Sequence, residues 1–153
     1  MIPSTVERVP RQTSPRVNEQ IRRRTERNVA RYAHADRETI EHRLSGLDRE
    51  WDIERTLEAN AAIASLVGLT LGATVDRRWF CFPAAVACFL LQHAVQGWCP
   101  PVPVFRRLGF RTQSEIDYER YALKFLRGDF RALETFQREG RDRAEQAVET
   151  MRT

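Results

Sequence analysis

Residues 59–75, ANAAIASLVGLTLGATV, and residues 79–105, WFCFPAAVACFLLQHAVQGWCPPVPVF, contain no Asp, Glu, Lys or Arg, and only Asp76-Arg77-Arg78 separates them. A helix rises about 1.5 Å per residue and a bilayer core is about 30 Å thick. In the second stretch Trp79 and Trp98 stand roughly 28 Å apart along a helix. Tryptophan concentrates at both membrane–water interfaces, so this pair is spaced to anchor both. Phe80 and Phe82 thicken one belt. Pro83 falls near the helix start, where a missing N–H costs least. Gly97 and then Pro100, Pro101 and Pro103 stop the helix.

The first stretch reaches about 25 Å. It borrows Leu57 and leaves Glu58 and Asn60 to the headgroup layer. Ala64, Gly68 and Gly72 recur every four residues, and small residues at this spacing let helix backbones approach closely in lipid. The stripe is a candidate packing surface, either for the second helix of the same chain or for a second chain in a homodimer. The two stretches together predict a transmembrane hairpin. The competing reading is a soluble helical bundle with both segments as its buried centre, binding a partner or nucleic acid through a basic arm. The uncharged length of the second stretch, its tryptophans and the short connection favour the membrane.

Working outward, charge returns abruptly. Of 46 charged residues, residues 57–98 carry four: Glu58, Asp76, Arg77 and Arg78. Residues 1–34 hold eight Arg and three Glu, and residues 35–58 hold eight acids and four Arg. Residues 1–16, with three prolines and no apolar run, are expected to form a disordered basic arm. They lack the apolar core of a signal peptide, which predicts a cytoplasmic N-terminus.

From Val17 the pattern is helical, with Val17, Ile21, Val29 and Tyr32 on one face. Asp36 is placed to cap a helix carrying Ile40 and Leu44, which Ser45-Gly46 is expected to weaken or end. Asp48 is placed to cap another, with Trp51 at its fourth position. Thr112 and Glu115 form a capping box before Ile116, Leu123 and Leu126, and Gly128 can end that helix. Asp129 is placed to open a last, thin helix carrying Phe130, Leu133, Ala144, Ala147 and Met151. The predicted fold is all-α: a basic arm (residues 1–16), amphipathic cytoplasmic helices (17–56), the transmembrane hairpin (57–105) and a cytoplasmic helical tail (106–153). Two spans put both termini on one side. Arg43, Arg49, Arg55, Arg106, Arg107 and Arg111 flank the outer ends against Arg77 and Arg78 in the loop, so the positive-inside rule places the termini in the cytoplasm.

Within the hairpin, Gln92, His93 and Gln96 are the polar residues of the second span, predicted to hydrogen-bond across to Thr70 or Thr74, the other reading being a ligand or proton pathway. The cysteines are three, Cys81, Cys88 and Cys99, an odd number in a chain without an export signal, which disfavours a disulfide scaffold. Cys99 is the candidate reactive thiol, because Arg106 and Arg107 follow it and cations favour a thiolate. Opposing this, a helix C-terminus disfavours an anion, and Cys packs well as a small apolar side chain. No CxxC, HExxH, phosphate-binding loop or dinucleotide fingerprint occurs, so no cofactor, metal or enzymatic activity is predicted. Arg22, Arg23, Arg24 and Arg27 form a basic cluster suited to anionic lipid headgroups, or to a solvated helix paired with the acidic residues 35–58. Tyr32 is the only aromatic residue of residues 1–34, which disfavours nucleic acid as the partner of this basic stretch.

Arg55, the Gly-rich first span, Trp79, Gly97-Trp98-Cys99-Pro100, Leu108-Gly109 and Thr112 resemble the YgaP-like inner-membrane transmembrane domain family over residues 51–112. The resemblance implies a two-helix hairpin, often dimeric, in a bacterial inner membrane. Some members carry a sulfur-transferring rhodanese domain. This chain has no room for one, so that activity is not carried over.

Overall fold

The computed structural model describes residues 4–131 and residue 141. Among the described residues the chain is helical throughout. The order is α1 (Arg8–Arg11), α2 (Pro15–Arg31), α3 (Arg37–Asp48), α4 (Ile53–Thr74), a 3-10 turn (Arg77–Phe80), α5 (Cys81–Gln96), α6 (Val102–Leu108) and α7 (Gln113–Arg127).

The carboxylate of Asp52 accepts from the Arg55 N–H at 2.8 Å and starts α4, which runs 22 residues without a break. Asp76 accepts from the Arg78 N–H at 2.8 Å and starts the turn that leads directly into α5. Gly97 ends α5 in the left-handed region, at φ +78°. Helix α4, and α5 taken with the turn before it (Arg77–Gln96, 20 residues), are long and apolar enough to cross a bilayer.

α4 and α5 pack against each other, and the small-residue stripe is where they meet. A Cβ on Gly68 would lie 2.7 Å from Cδ of Pro83 and 2.9 Å from Cδ1 of Phe82; one on Gly72 would lie 2.8 Å from the Phe80 ring. Gly68 and Gly72 are therefore filled by the chain's own second helix, with Ala64 half-buried beside them. Little else on the pair is covered. The rest of the molecule buries 22% of the most apolar stretch of the first helix and 6% of the second. Ile63, Leu66, Val67, Phe89 and Leu91 are all exposed. The two apolar segments are thus not the buried centre that a soluble bundle would require.

The core lies below them, in two clusters. Val9, Ile53, Leu57, Cys99 and Val102 close the foot of the hairpin, with Phe105 and Phe110 stacked edge to face beside them. Ile40, Leu44, Leu47, Ile116 and Leu123 join α3 to α7, and α7 also packs on α2. The segments before and after the hairpin therefore meet in one helical base.

Three expectations are corrected here. Residues 4–16 are ordered rather than a free arm, because Val9 is buried under Ile53 and Leu57 and because the open end of α5 needs donors. Arg8 Nη1 donates to the Ala94 carbonyl at 3.1 Å, and Gln12 Nε2 reaches the Gln96 carbonyl at 3.5 Å. Next, α3 passes through Ser45-Gly46 to Asp48, since burying Leu47 outweighs the weak propensity of Gly46. Lastly, Asp52 rather than Asp48 caps the following helix, leaving Trp51 in the link. The caps at Asp36 and Thr112/Glu115 and the stop at Gly128 fall where expected. The helix expected after Asp129 lies mainly outside the described residues.

Candidate functional site

The base is held by buried ion pairs. Glu119 is fully buried on α7. Its Oε1 accepts from Nε and Nη2 of Arg43 at 2.8 and 2.6 Å, and its Oε2 accepts from Nη1 of Arg111. The rest of the Arg111 fork engages Glu50 at 2.8 and 2.6 Å, and Thr25 Oγ1 lies 3.2 Å from its Nη1. Arg106, also buried, grips both oxygens of Glu115 at 2.6 and 2.7 Å and donates to Asn18 and to the Phe110 carbonyl. Burial alone would push the Glu119 carboxyl up, but its bonds to Arg43 and Arg111 outweigh that and hold it below the usual range. Glu115 is held down the same way by Arg106 and by the Thr112 N–H, again against burial. These pairs join α2, α3, α6 and α7 and are satisfied by one another, which marks them as structural.

A smaller polar cluster sits where the hairpin enters the base. His93 Nε2 lies 2.7 Å from Glu54 Oε2, and Arg8 Nη2 lies 3.0 Å from Glu54 Oε1. Thr70 and Thr74, the partners expected for the polar residues of α5, instead donate to carbonyls of their own helix, Leu66 at 2.8 Å and Thr70 at 2.7 Å. The reason is position. His93 is near the C-terminal end of α5, level with the start of α4 rather than with its end. Gln92 is half-buried and Gln96 exposed, so the three polar residues form no common site.

Cys99 is buried, in the cluster with Val9 and Ile53. Burial pushes its thiol up, the Val102 N–H partly offsets this, and the Glu54 carboxylate adds to the rise. Arg106, expected to favour the thiolate, is taken up by Glu115. Cys81 and Cys88 are exposed on α5. Trp79 is exposed at the far end of the hairpin and Trp98 half-buried at its foot, so the two stand at opposite ends.

The basic cluster of α2 divides. Arg22 bonds Glu19 and Glu26, and Arg23 bonds Glu19. Arg24 and Arg27 have no carboxylate partner among the described residues. Among the described residues, the acidic stretch 35–58 pairs with the basic stretch 1–34 only through Arg8 and Glu54.

The sequence reading passed over Arg8, Glu54, Glu115 as an ion-pair partner, and Glu119. A signal for Glu119 existed: it lies between Ile116 and Leu123 on the apolar face of α7, and a carboxylate there must be paired or protonated. For Glu54 no local signal exists, because its partners are 39 and 46 residues away. No family model, curated protein or solved structure matches this chain.

Proposed function

We propose that this chain is a non-enzymatic hairpin protein of the bacterial inner membrane, with both termini in the cytoplasm, acting as an oligomeric interaction or scaffold module. The observation that carries the reading is the bare apolar pair: α4 and α5 present Ile63, Leu66, Val67, Phe89 and Leu91 outward with none of the described residues over them. An apolar surface of this extent is stable against lipid and not against water. The arrangement of the flanks agrees, since α2, α3 and α7 join at one end and so occupy one side. The buried ion pairs of that base, Arg43 and Arg111 with Glu119 and Arg106 with Glu115, hold its helices together, which suits a rigid platform. The sequence resemblance to YgaP-like hairpins points the same way.

Because the chain's own Phe80, Phe82 and Pro83 occupy Gly68 and Gly72, self-association would use the outer face of α5, where Cys88 is exposed. The alternative, a thiol protein acting through Cys99, is weakened by the burial of that sulfur and by its raised pKa.

Two measurements test the proposal. In spheroplasts of a cysteine-free background, an impermeant maleimide should label Arg78→Cys from outside and leave Arg16→Cys unlabelled. The reverse pattern would overturn the orientation. In membranes, mild oxidation should link wild-type chains through Cys88, and Cys88→Ser should abolish the dimer. Monomer alone under oxidation would remove the oligomeric part.

A further inference from the structure

We propose that the base carries a binding site for the phosphate headgroup of an anionic phospholipid, in a cavity at the foot of the hairpin. This rests on the membrane reading above and names a ligand for it.

The cavity has a volume of about 330 Å³ and is lined by Arg24, Arg43, Arg111, Trp51, Leu108 and Gly109, among others. That is within the range of small-ligand pockets, roughly 300–1,000 Å³. Its charge is unbalanced. Three guanidiniums, Arg24, Arg43 and Arg111, share two carboxylates, Glu50 and Glu119, and both carboxylates are bonded to Arg43 or Arg111. The remaining positive charge is on Arg24. It has no carboxylate partner among the described residues, whereas its neighbours Arg22 and Arg23 are neutralised within α2.

The chain makes room for that cation. Gly109 ends α6 at φ +91°, and a Cβ there would lie 3.0 Å from Arg24 Nη1. A glycine at this point allows both the left-handed turn and the close approach of the guanidinium.

Position and rim select a lipid rather than a free anion. The walls come from the link just before α4 and the turn just after α6, the two segments that bracket the hairpin. Trp51 is 46% exposed and Leu108 68% exposed. Val104, one helical turn before Leu108, is exposed as well, so α6 turns an apolar edge outward. An exposed tryptophan, an apolar edge and the unpaired Arg24 together suit the headgroup layer, where acyl chain and phosphate are met at once. A second cavity, lined by Asp48, Asp52, Glu54 and Glu58 against Arg55 and Arg120, is acidic on balance and would repel the same ligand.

The test uses the full chain in phosphatidylcholine nanodiscs containing a minor fraction of phosphatidylglycerol. Protein-bound lipid is read by native mass spectrometry. The wild type should enrich phosphatidylglycerol, and Arg24→Gln should lower that enrichment about fivefold, the size expected for one basic residue near an anionic surface. Arg22→Gln removes the same charge from the opposite side of α2 and should leave enrichment unchanged. Equal enrichment in Arg24→Gln and wild type would overturn the site, as would an equal drop in both variants, which would indicate diffuse charge attraction. Displacement of the lipid by millimolar inorganic phosphate would identify a free-anion site and overturn the lipid assignment. Failure of the chain to remain in membranes after an alkaline wash would instead remove the underlying membrane reading, so the two failures are distinguishable.

Discussion

Single residues carry most of the load in the base, and they do it by pairing. Arg106 is buried and holds Glu115 with two short bonds. Removing one partner of such a pair leaves a buried charge alone, at about 3–5 kcal/mol. Arg106→Ala should therefore unfold the base at a much lower temperature, followed by circular dichroism in detergent; an unchanged midpoint would mean that water replaces the arginine freely. The same carboxylates set the acid limit. In the folded chain Glu115 and Glu119 have pKa values below the ordinary 4.5. Their contribution is fully present above the unfolded value and is lost as pH falls through the folded one. Stability should thus be flat above about pH 4.5 and decline below it, and Glu119→Gln should flatten the decline. Gly97 is a third case: it needs a positive φ, and a Cβ would lie 2.4 Å from the Arg8 carbonyl oxygen. Gly97→Ala should cost more than the roughly 1–2 kcal/mol of a left-handed residue alone, read from the same thermal unfolding. At this scale the sequence was legible where the chemistry is local. The caps at Asp36 and Thr112 and the stops at Gly97 and Gly128 could be read directly. The pairs Arg43–Glu119 and Glu54–His93 could not, since the partners lie 76 and 39 residues apart.

At the scale of elements, the hairpin depends on close approach at Gly68 and Gly72. The stripe was visible in the sequence, but its partner was not, because spacing alone does not say which helix fills the groove. The structure fills it from within the chain. Gly68→Ala should destabilise the hairpin by collision with Phe82 and Pro83, and Phe82→Ala should recover part of that loss. A double-mutant cycle in detergent measures the coupling; strictly additive effects would mean that the two positions do not meet. The N-terminal segment is the element the sequence misjudged most. Its prolines and arginines read as disorder, yet Val9, Arg8 and Gln12 dock it on the foot of the hairpin. Docking of this kind depends on unsatisfied carbonyls at the end of α5, which exist only once the fold is formed.

For the whole molecule, the division of labour follows the charge map. Helices α4 and α5 are an outward-facing apolar pair, and among the described residues the charged segments on either side build a base tied by arginine–carboxylate bonds. The buried thiol belongs to the seam between them. In a variant lacking Cys81 and Cys88, Cys99 should react with maleimide only after denaturation; rapid labelling of the native protein would revive a thiol function. Whether the apolar pair lies in lipid is decided by an alkaline carbonate wash of membranes from expressing cells. The full chain should stay in the pellet and leave it only with detergent. Release into the wash would contradict a position in lipid, and would require that the exposed face of α4 and α5 be covered by protein.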